Sequence, residues 1–254
     1  MSKLKLLAPL ALLLALVSNN VGADEVRVAV AANFTKAIKQ IAPLYEKKTG
    51  NKLVASFGST GQLYTQIKNG APFDAFLAAD EKRPKKLIAE DAAVADSYFV
   101  YARGRLALWS STPGYVDDKG AVLKTGDFKK IAIANPKAAP YGEAAIETLT
   151  ALKLLDTLQS KLVIGENISQ TQQFVASGSV PLGFVALAQV KSLPADGRGS
   201  WWVVPETMHT PIAQGAVLLK KTDHAATAKN FLAFLKSPEA VTIIRELGYD
   251  VPSD

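Results

Sequence analysis

The residues best suited to chemistry in this chain sit where a strand gives way to a helix. Ser56-Phe57-Gly58-Ser59-Thr60-Gly61 follows the apolar run Leu53-Val54-Ala55 and precedes a helix-like segment that ends near Asn69. A helix N-terminus carries backbone N–H groups with no acceptor inside the helix, and a partial positive charge. Two hydroxyls and two glycines there suit a helix cap, with Ser59 or Thr60 accepting a backbone N–H, or a seat for an anion. Three more turns of the same kind occur at Asn33, Tyr141 and Ile168. All four turns offer backbone N–H groups, and three add a side-chain donor. No lysine or arginine stands at these positions. Neutral donors backed by helix ends suit a small, fully deprotonated oxyanion, because they offer few acceptors to a protonated one.

Other chemistries fit less well. The two histidines, His209 and His224, fall in a loop and near a helix start, and read as surface residues. Gly58-Ser59-Thr60-Gly61 lacks the G-x-S-x-G spacing of a nucleophile elbow. There is no cysteine and no histidine pair at i and i+4, so no zinc signature. No P-loop lysine and no G-x-G-x-x-G opening the first helix point to a nucleotide. The basic cluster Lys82, Arg83, Lys85 and Lys86 reads as a solvated helix face. Asp74 and Asp80 read as structural groups at strand and turn ends rather than an acid–base pair.

Alternating strands and helices must place the four turns. Residues 26–31, 53–57 and 74–78 read as buried strands, each followed by a helix pattern over 34–48, 60–69 and 81–90. Asn33 is a good cap for the first of these helices. Three such units in a row predict a parallel sheet, with ligands bound beyond the carboxyl ends of its strands. The stretch 98–110, broken by Arg103-Gly104-Arg105, reads as a strand leaving this lobe. A second series follows, with strands at 131–134, 162–164 and 182–185 and helices at 143–154 and 169–177. Residues 215–219 read as the return to the first lobe, and helices at 225–236 and 238–247 close the chain. The pattern predicts an α/β protein of two lobes around a cleft, with 24–104 and 211–254 forming lobe 1, 105–210 forming lobe 2, and crossings near Arg103 and Thr210.

Residues 1–23 have the form of a cleavable secretory signal peptide. Lys3 and Lys5 precede an apolar run from Leu6 to Val17, and Val21-Gly22-Ala23 offers a small-residue cleavage site. The run is too short to span a bilayer, which needs about 20 apolar residues. Without cysteine the chain has nothing to lipidate, and its fold must rest on its core rather than on disulfides. A formal charge of +6, two lysines of which lie in the expected leader, is no nucleic-acid signature. An exported protein is expected, with no nucleic-acid partner.

At these turns the sequence resembles the periplasmic molybdate-binding proteins of molybdate ABC importers. The resemblance covers nearly all of the expected mature chain. It is carried by Val28-Ala29-Val30-Ala31-Ala32-Asn33-Phe34, by Ser56 through Leu63, by Gly70 through Asp80, and by Ala134-Asn135-Pro136 and Pro140-Tyr141-Gly142. Gly165-Glu166-Asn167-Ile168 and Pro181-Leu182-Gly183-Phe184-Val185 continue it. It implies a type II periplasmic-binding-protein fold, each lobe a mostly parallel sheet flanked by helices. It also implies a monomeric, non-enzymatic receptor that closes on molybdate or tungstate and docks on membrane permease subunits. No cofactor is implied, and molybdenum would be held as the oxyanion without a protein–metal bond. Asn33 matches a family ligand position, Thr60 a hydroxyl ligand with Ser59 beside it as a further donor, and Ile168 a backbone N–H donor. Tyr141 matches a position that is a tyrosine hydroxyl in some members. Some members also carry a tyrosine where this chain has Ala186, and Tyr141 is expected to supply the hydroxyl instead. Two other readings remain: a receptor for another oxyanion or a small carboxylate, and an exported hydrolase using Ser59 or Tyr141, for which no base is evident.

Overall fold

The computed structural model describes residues 24–252, so the expected signal peptide, 1–23, lies outside the described residues. Ten strands form two five-stranded sheets. The first contains β1 (Glu25–Ala31), β2 (Lys52–Gly58), β3 (Ala75–Leu77), β4 (Phe99–Gly104) and β10 (Ile212–Leu218) in the order β2-β1-β3-β10-β4. The second contains β5 (Leu106–Ser110), β6 (Ile131–Ala134), β7 (Leu162–Gly165), β8 (Gly183–Ala186) and β9 (Ser200–Val203) in the order β7-β6-β8-β5-β9. Both sheets are mixed. β1 pairs in parallel with β2 and β3, and β6 with β7 and β8. β10 runs antiparallel to β3 and β4, and β5 antiparallel to β8 and β9. The one reversed strand of each sheet is thus the first strand after the chain crosses over. Only Arg105 separates β4 from β5, so the chain changes sheets within one residue.

The central strands β1 and β6 are buried along most of their length because helices cover both faces of the sheet, whereas the edge strands β2 and β7 are more exposed. Val26, Val28 and Val30 pack on one side of β1 with Phe34, Ile38, Ile41, Tyr45 and Phe231, while Ala29 faces Leu63, Phe76 and Leu87 on the other. In the second sheet Leu106, Leu108, Ile131, Ile133 and Phe184 share a core with Tyr141 and Leu149. Two aromatic contacts fix rings that matter below. Phe34 meets Tyr101 edge-on at 4.8 Å and Tyr249 at 5.4 Å between ring centroids. Among the described residues no helix is long and apolar enough to cross a membrane.

Several element ends differ from expectation at the turns that matter. Asn33 does not cap a helix. It lies inside a 3₁₀ turn, Ala32–Phe34, and the helix Thr35–Thr49 that follows has no side-chain cap. The helix expected from residue 143 begins earlier, as Pro140–Ala151. Proline is favoured at the first helical position, where its missing N–H costs nothing, and this draws Tyr141 into the first turn. The helix expected from 169 begins at Ile168, with Asn167 as its cap. Leu155–Leu158 forms a further short helix that the hydrophobic pattern did not show.

Candidate functional site

Asn33, Ser59, Thr60, Tyr141 and Ile168 all line one small cavity where the two sheets face each other. Its remaining walls come from alanines, Gly58, Pro140 and Asn167, so no charged side chain lines it. The four turns converge because each follows a strand of a parallel trio, β1, β2, β6 or β7.

The two hydroxyls of the Ser59-Thr60 pair have separate tasks. Ser59 caps the helix Thr60–Lys68: its Oγ accepts from Gln62 N and donates to Gln62 Oε1 at 2.8 Å, while Gln62 Oε1 also takes the Ser59 N–H. This reciprocal arrangement is a capping box, and it uses the Ser59 proton. Thr60 Oγ1 instead accepts from Ala79 N at 3.0 Å. A hydroxyl that accepts in this way retains its own proton for the cavity. Ile168 and Tyr141 lie in the first turns of their helices, where backbone N–H groups have no intrahelical acceptor.

Asn33 is differently placed from the expected side-chain donor. Its Nδ2 donates to Gln214 Oε1 at 2.9 Å and to Tyr249 Oη at 3.2 Å. Both amide hydrogens are therefore held by protein. Tyr101 Oη lies 3.0 Å from both Gln214 Oε1 and the Ala78 carbonyl oxygen, which share its one proton, and Gln214 Nε2 donates to Tyr141 Oη at 3.3 Å. Tyr249 Oη donates to the Asn33 carbonyl at 2.8 Å. All five polar side chains are buried. Burial pushes the phenols of Tyr101, Tyr141 and Tyr249 above their ordinary range, so they stay protonated. The sequence reading missed Gln214, Tyr101 and Tyr249. Gln214 did leave a trace, as the lone amide in an apolar strand, Ile-Ala-Gln-Gly-Ala-Val-Leu.

Hydrogen bonds join the two sides of the cleft around this cavity, as in a closed lobe pair. Gly61 N donates to Ala138 O at 2.8 Å and Ser169 Oγ to Ala32 O at 3.2 Å. Arg83 Nη2 reaches Lys137 O at 3.2 Å while Nη1 pairs with Asp80. Arg83 thus departs from the reading of a wholly solvated basic face: its side chain is only 20 % exposed and spans the cleft mouth. Lys85 and Lys86 do keep to the surface, paired with Glu81 and Glu90.

The remaining candidates lie elsewhere. Asp74 accepts from Arg27 N and from Thr222 Oγ1, both at 2.6 Å, and so ties β1 to the segment after β10. His224 stands beside Asp24, its Nδ1 2.7 Å from a carboxylate oxygen. His209 is not a surface residue: only 8 % of it is exposed, and Nδ1 lies 2.8 Å from Thr210 O. The β10 strand begins three residues on, which carries this loop under the surface. Neither histidine lines the cavity. Among the described residues no group of three or more His, Asp or Glu side chains is placed to hold a metal ion.

Comparison with known proteins places this geometry. Residues 26–250 match the model of a family described as bacterial extracellular solute-binding protein. The chain is 53 % identical over 230 residues to the molybdate-binding protein ModA of Azotobacter vinelandii, covering 89 % of this chain and 90 % of that one. It is 54 % identical over 227 residues to the molybdate-binding protein ModA of Rhodobacter capsulatus, covering 89 % and 88 %. The solved periplasmic molybdate-binding protein of Azotobacter vinelandii superposes with a TM-score of 0.87 at 44 % identity, over 90 % of this chain and all of that one.

Proposed function

The chain belongs to the bacterial extracellular solute-binding proteins, within them to the molybdate-binding ModA family, and on that premise we propose that it captures molybdate in the cavity between its sheets and delivers it to an ABC importer. It is a binding protein and not an enzyme. The observation that carries the ligand class is the lining itself: four strand-to-helix turns from both sheets, with hydroxyls and first-turn amides and no charged side chain. Helix N-termini supply partial positive charge, and buried neutral donors match an anion that brings no proton of its own.

In this reading Thr60 and Tyr141 give hydroxyl hydrogens, and Ile168 gives its backbone N–H. Asn33 contributes its backbone, since both side-chain hydrogens serve Gln214 and Tyr249. Ser59 serves as the cap that aims the Thr60–Lys68 helix end at the ligand. Residues 24–104 with 211–254 close as one lobe on 105–210 as the other. Tungstate, of nearly the same size, is expected to bind as well. Sulfate is smaller and would leave donors unpaired at a cost of about 1–3 kcal/mol each. No cofactor is required. The protein is proposed to act as a periplasmic monomer, exported by a signal peptide cut after Ala23, and to dock on permease subunits.

Titration calorimetry with molybdate, tungstate, sulfate and hydrogen phosphate tests the ligand assignment. Tight molybdate and tungstate binding with weak sulfate binding is expected. Tight sulfate binding with none for molybdate would overturn it.

A further inference from the structure

We infer that Lys82 and Lys137 form an electrostatic capture rim for the oxyanion: they draw it to the mouth of the cleft and set its association rate, while the uncharged cavity behind them sets how tightly it is held. The inference rests on the anion-binding reading above. A groove at the cleft mouth is lined by four basic residues, Lys82, Arg83, Lys86 and Lys137, and by no acidic one. Its walls come from both lobes. Lys82, Arg83 and Lys86 belong to the helix Lys82–Ala89 of the first, and Lys137 to the turn after β6 of the second. Two of the four charges are neutralised within the protein: Arg83 pairs with Asp80, and Lys86 lies 3.8 Å from Glu90. Among the described residues Lys82 and Lys137 have no ion-pair partner, and both are exposed.

The groove abuts the cavity. Gly61 and Ala138 line the groove, and their neighbours in sequence, Thr60 and Ala139, line the cavity. The hydrogen bond from Gly61 N to Ala138 O, 2.8 Å long, therefore stands at the boundary between the two. Parting the lobes breaks that bond and opens the groove into the cavity. The charge at the mouth also has a direction. A neighbouring hollow shares Lys82, Arg83 and Lys137 with the groove but adds Asp80, Glu81, Glu143 and Glu147. Asp80 and Glu81 are paired with Arg83 and Lys85, whereas Glu143 and Glu147 have no cationic partner among the described residues. An approaching anion is thus drawn to the groove and repelled by the hollow. A lysine at the rim needs no fixed orientation for this, because its field reaches over roughly a Debye length, about 10 Å at 0.1 M salt. A cleft lined by one sign of charge raises the on-rate of an oppositely charged ligand by about tenfold or more. The two tasks are divided: charge at the rim hastens arrival, and neutral donors in the cavity hold the ligand without a buried unpaired cation.

The test compares two double variants of the full mature protein that remove the same charge: Lys82→Gln with Lys137→Gln at the rim, and Lys47→Gln with Lys229→Gln as the control. The control lysines are exposed and have no ion-pair partner among the described residues. They lie toward the far end of the first sheet, where Asp24 bonds Asn51 and Thr227, a strand length of roughly 20 Å from the cavity. Calorimetry with molybdate gives Kd, and displacement of radiolabelled molybdate by an excess of unlabelled molybdate gives koff; koff divided by Kd is kon. At about 0.1 M salt the rim pair is expected to lower kon about three- to tenfold and to change koff less than about twofold. The control pair should change kon less than about twofold, because its charges are screened at that distance. At about 1 M salt, where the Debye length is about 3 Å, the rim loss should vanish. Should the rim pair fail to fold, Lys82→Gln and Lys137→Gln are measured singly, each with a smaller loss of the same kind expected. An unchanged kon, an equal loss in the control pair, a loss that appears in koff, or a loss that survives about 1 M salt overturns the inference. Each of these leaves molybdate binding intact, whereas absence of binding by the unaltered protein overturns the anion reading with it.

Discussion

Tyr141 reaches so close to Gly104 that a Cβ added to the glycine would lie 2.0 Å from the phenol oxygen. The same methyl would lie 2.7 Å from Gln214 Nε2. Gly104 ends β4, immediately before the chain passes to the second sheet. The bare backbone there is what lets a tyrosine from one lobe meet a glutamine from the other. Gly104→Ala is therefore expected to weaken molybdate binding by roughly tenfold or more, on the scale of a lost hydrogen bond to an anion. Calorimetry reads the affinity directly, and an unchanged value would show that Tyr141 is not needed in this position.

Gly61 makes a gentler contact of the same kind. A Cβ there would meet Ala138 Cα at 3.0 Å, Ala138 O at 3.1 Å and Arg83 Nη2 at 3.1 Å. These atoms must move by a few tenths of an ångström, on both sides of the cleft. Gly61→Ala is expected to lower affinity by several-fold, roughly 1 kcal/mol, and to leave the melting temperature of the ligand-free protein nearly unchanged. Small-angle scattering with saturating molybdate should show a less compact particle than the unaltered protein; identical profiles would count against this contact as a closure stop.

Thr60 separates ligand binding from capping. Thr60→Ala removes the hydroxyl and leaves the Ala79 N–H without its acceptor. A loss of about 1–3 kcal/mol in molybdate affinity is expected, with Thr60→Ser close to the unaltered protein. Ser59→Ala should instead act mainly on stability, by about 1 kcal/mol, the usual cost of a lost N-cap. Denaturant melts and titrations of the same variants check both halves, and the reverse pattern would exchange the two roles.

Burial holds the phenols of Tyr101, Tyr141 and Tyr249 above the ordinary value of 10.0. Below about pH 10 folded and unfolded chains both keep these protons, so their contribution to stability is fully present. Above it the unfolded chain releases them while the folded one retains them, and stability must fall as pH rises. Molybdate affinity is expected to stay level from about pH 7 to 9, because Tyr141 remains a donor throughout. A decline in that window that disappears in Tyr141→Phe would mean the phenol ionises there.

Much of the fold was legible because local rules decide it. Largely apolar runs such as Val28 to Ala31 become strand residues buried on both faces, and Gly50, at φ 74°, ends its helix in the left-handed conformation that glycine accepts most readily. Some helix ends depart from the hydrophobic pattern because a residue at the end outweighs it. Pro140 is a good first helical residue, yet the helix was expected three residues later. Asn33 looked like a cap by type, but the 3₁₀ turn there left no helix end for its side chain to serve.

The sequence by itself determined the kind of site: neutral hydroxyls and helix-start amides, without charge, at turns that parallel strands must carry to one edge. It could not determine which of those donors are free. Asn33 is separated by 181 residues from Gln214 and by 216 from Tyr249, so no local pattern records that they share hydrogens. Ser59 and Gln62, three residues apart, did form a pairing that chain-local chemistry can suggest. Donor and acceptor roles in a buried network are set by every partner at once. The tertiary fold, by bringing β10 and the helix after β6 together over Gly104, decided that the Asn33 side-chain hydrogens go to Gln214 and Tyr249 and that Gln214 meets Tyr141 across the two sheets.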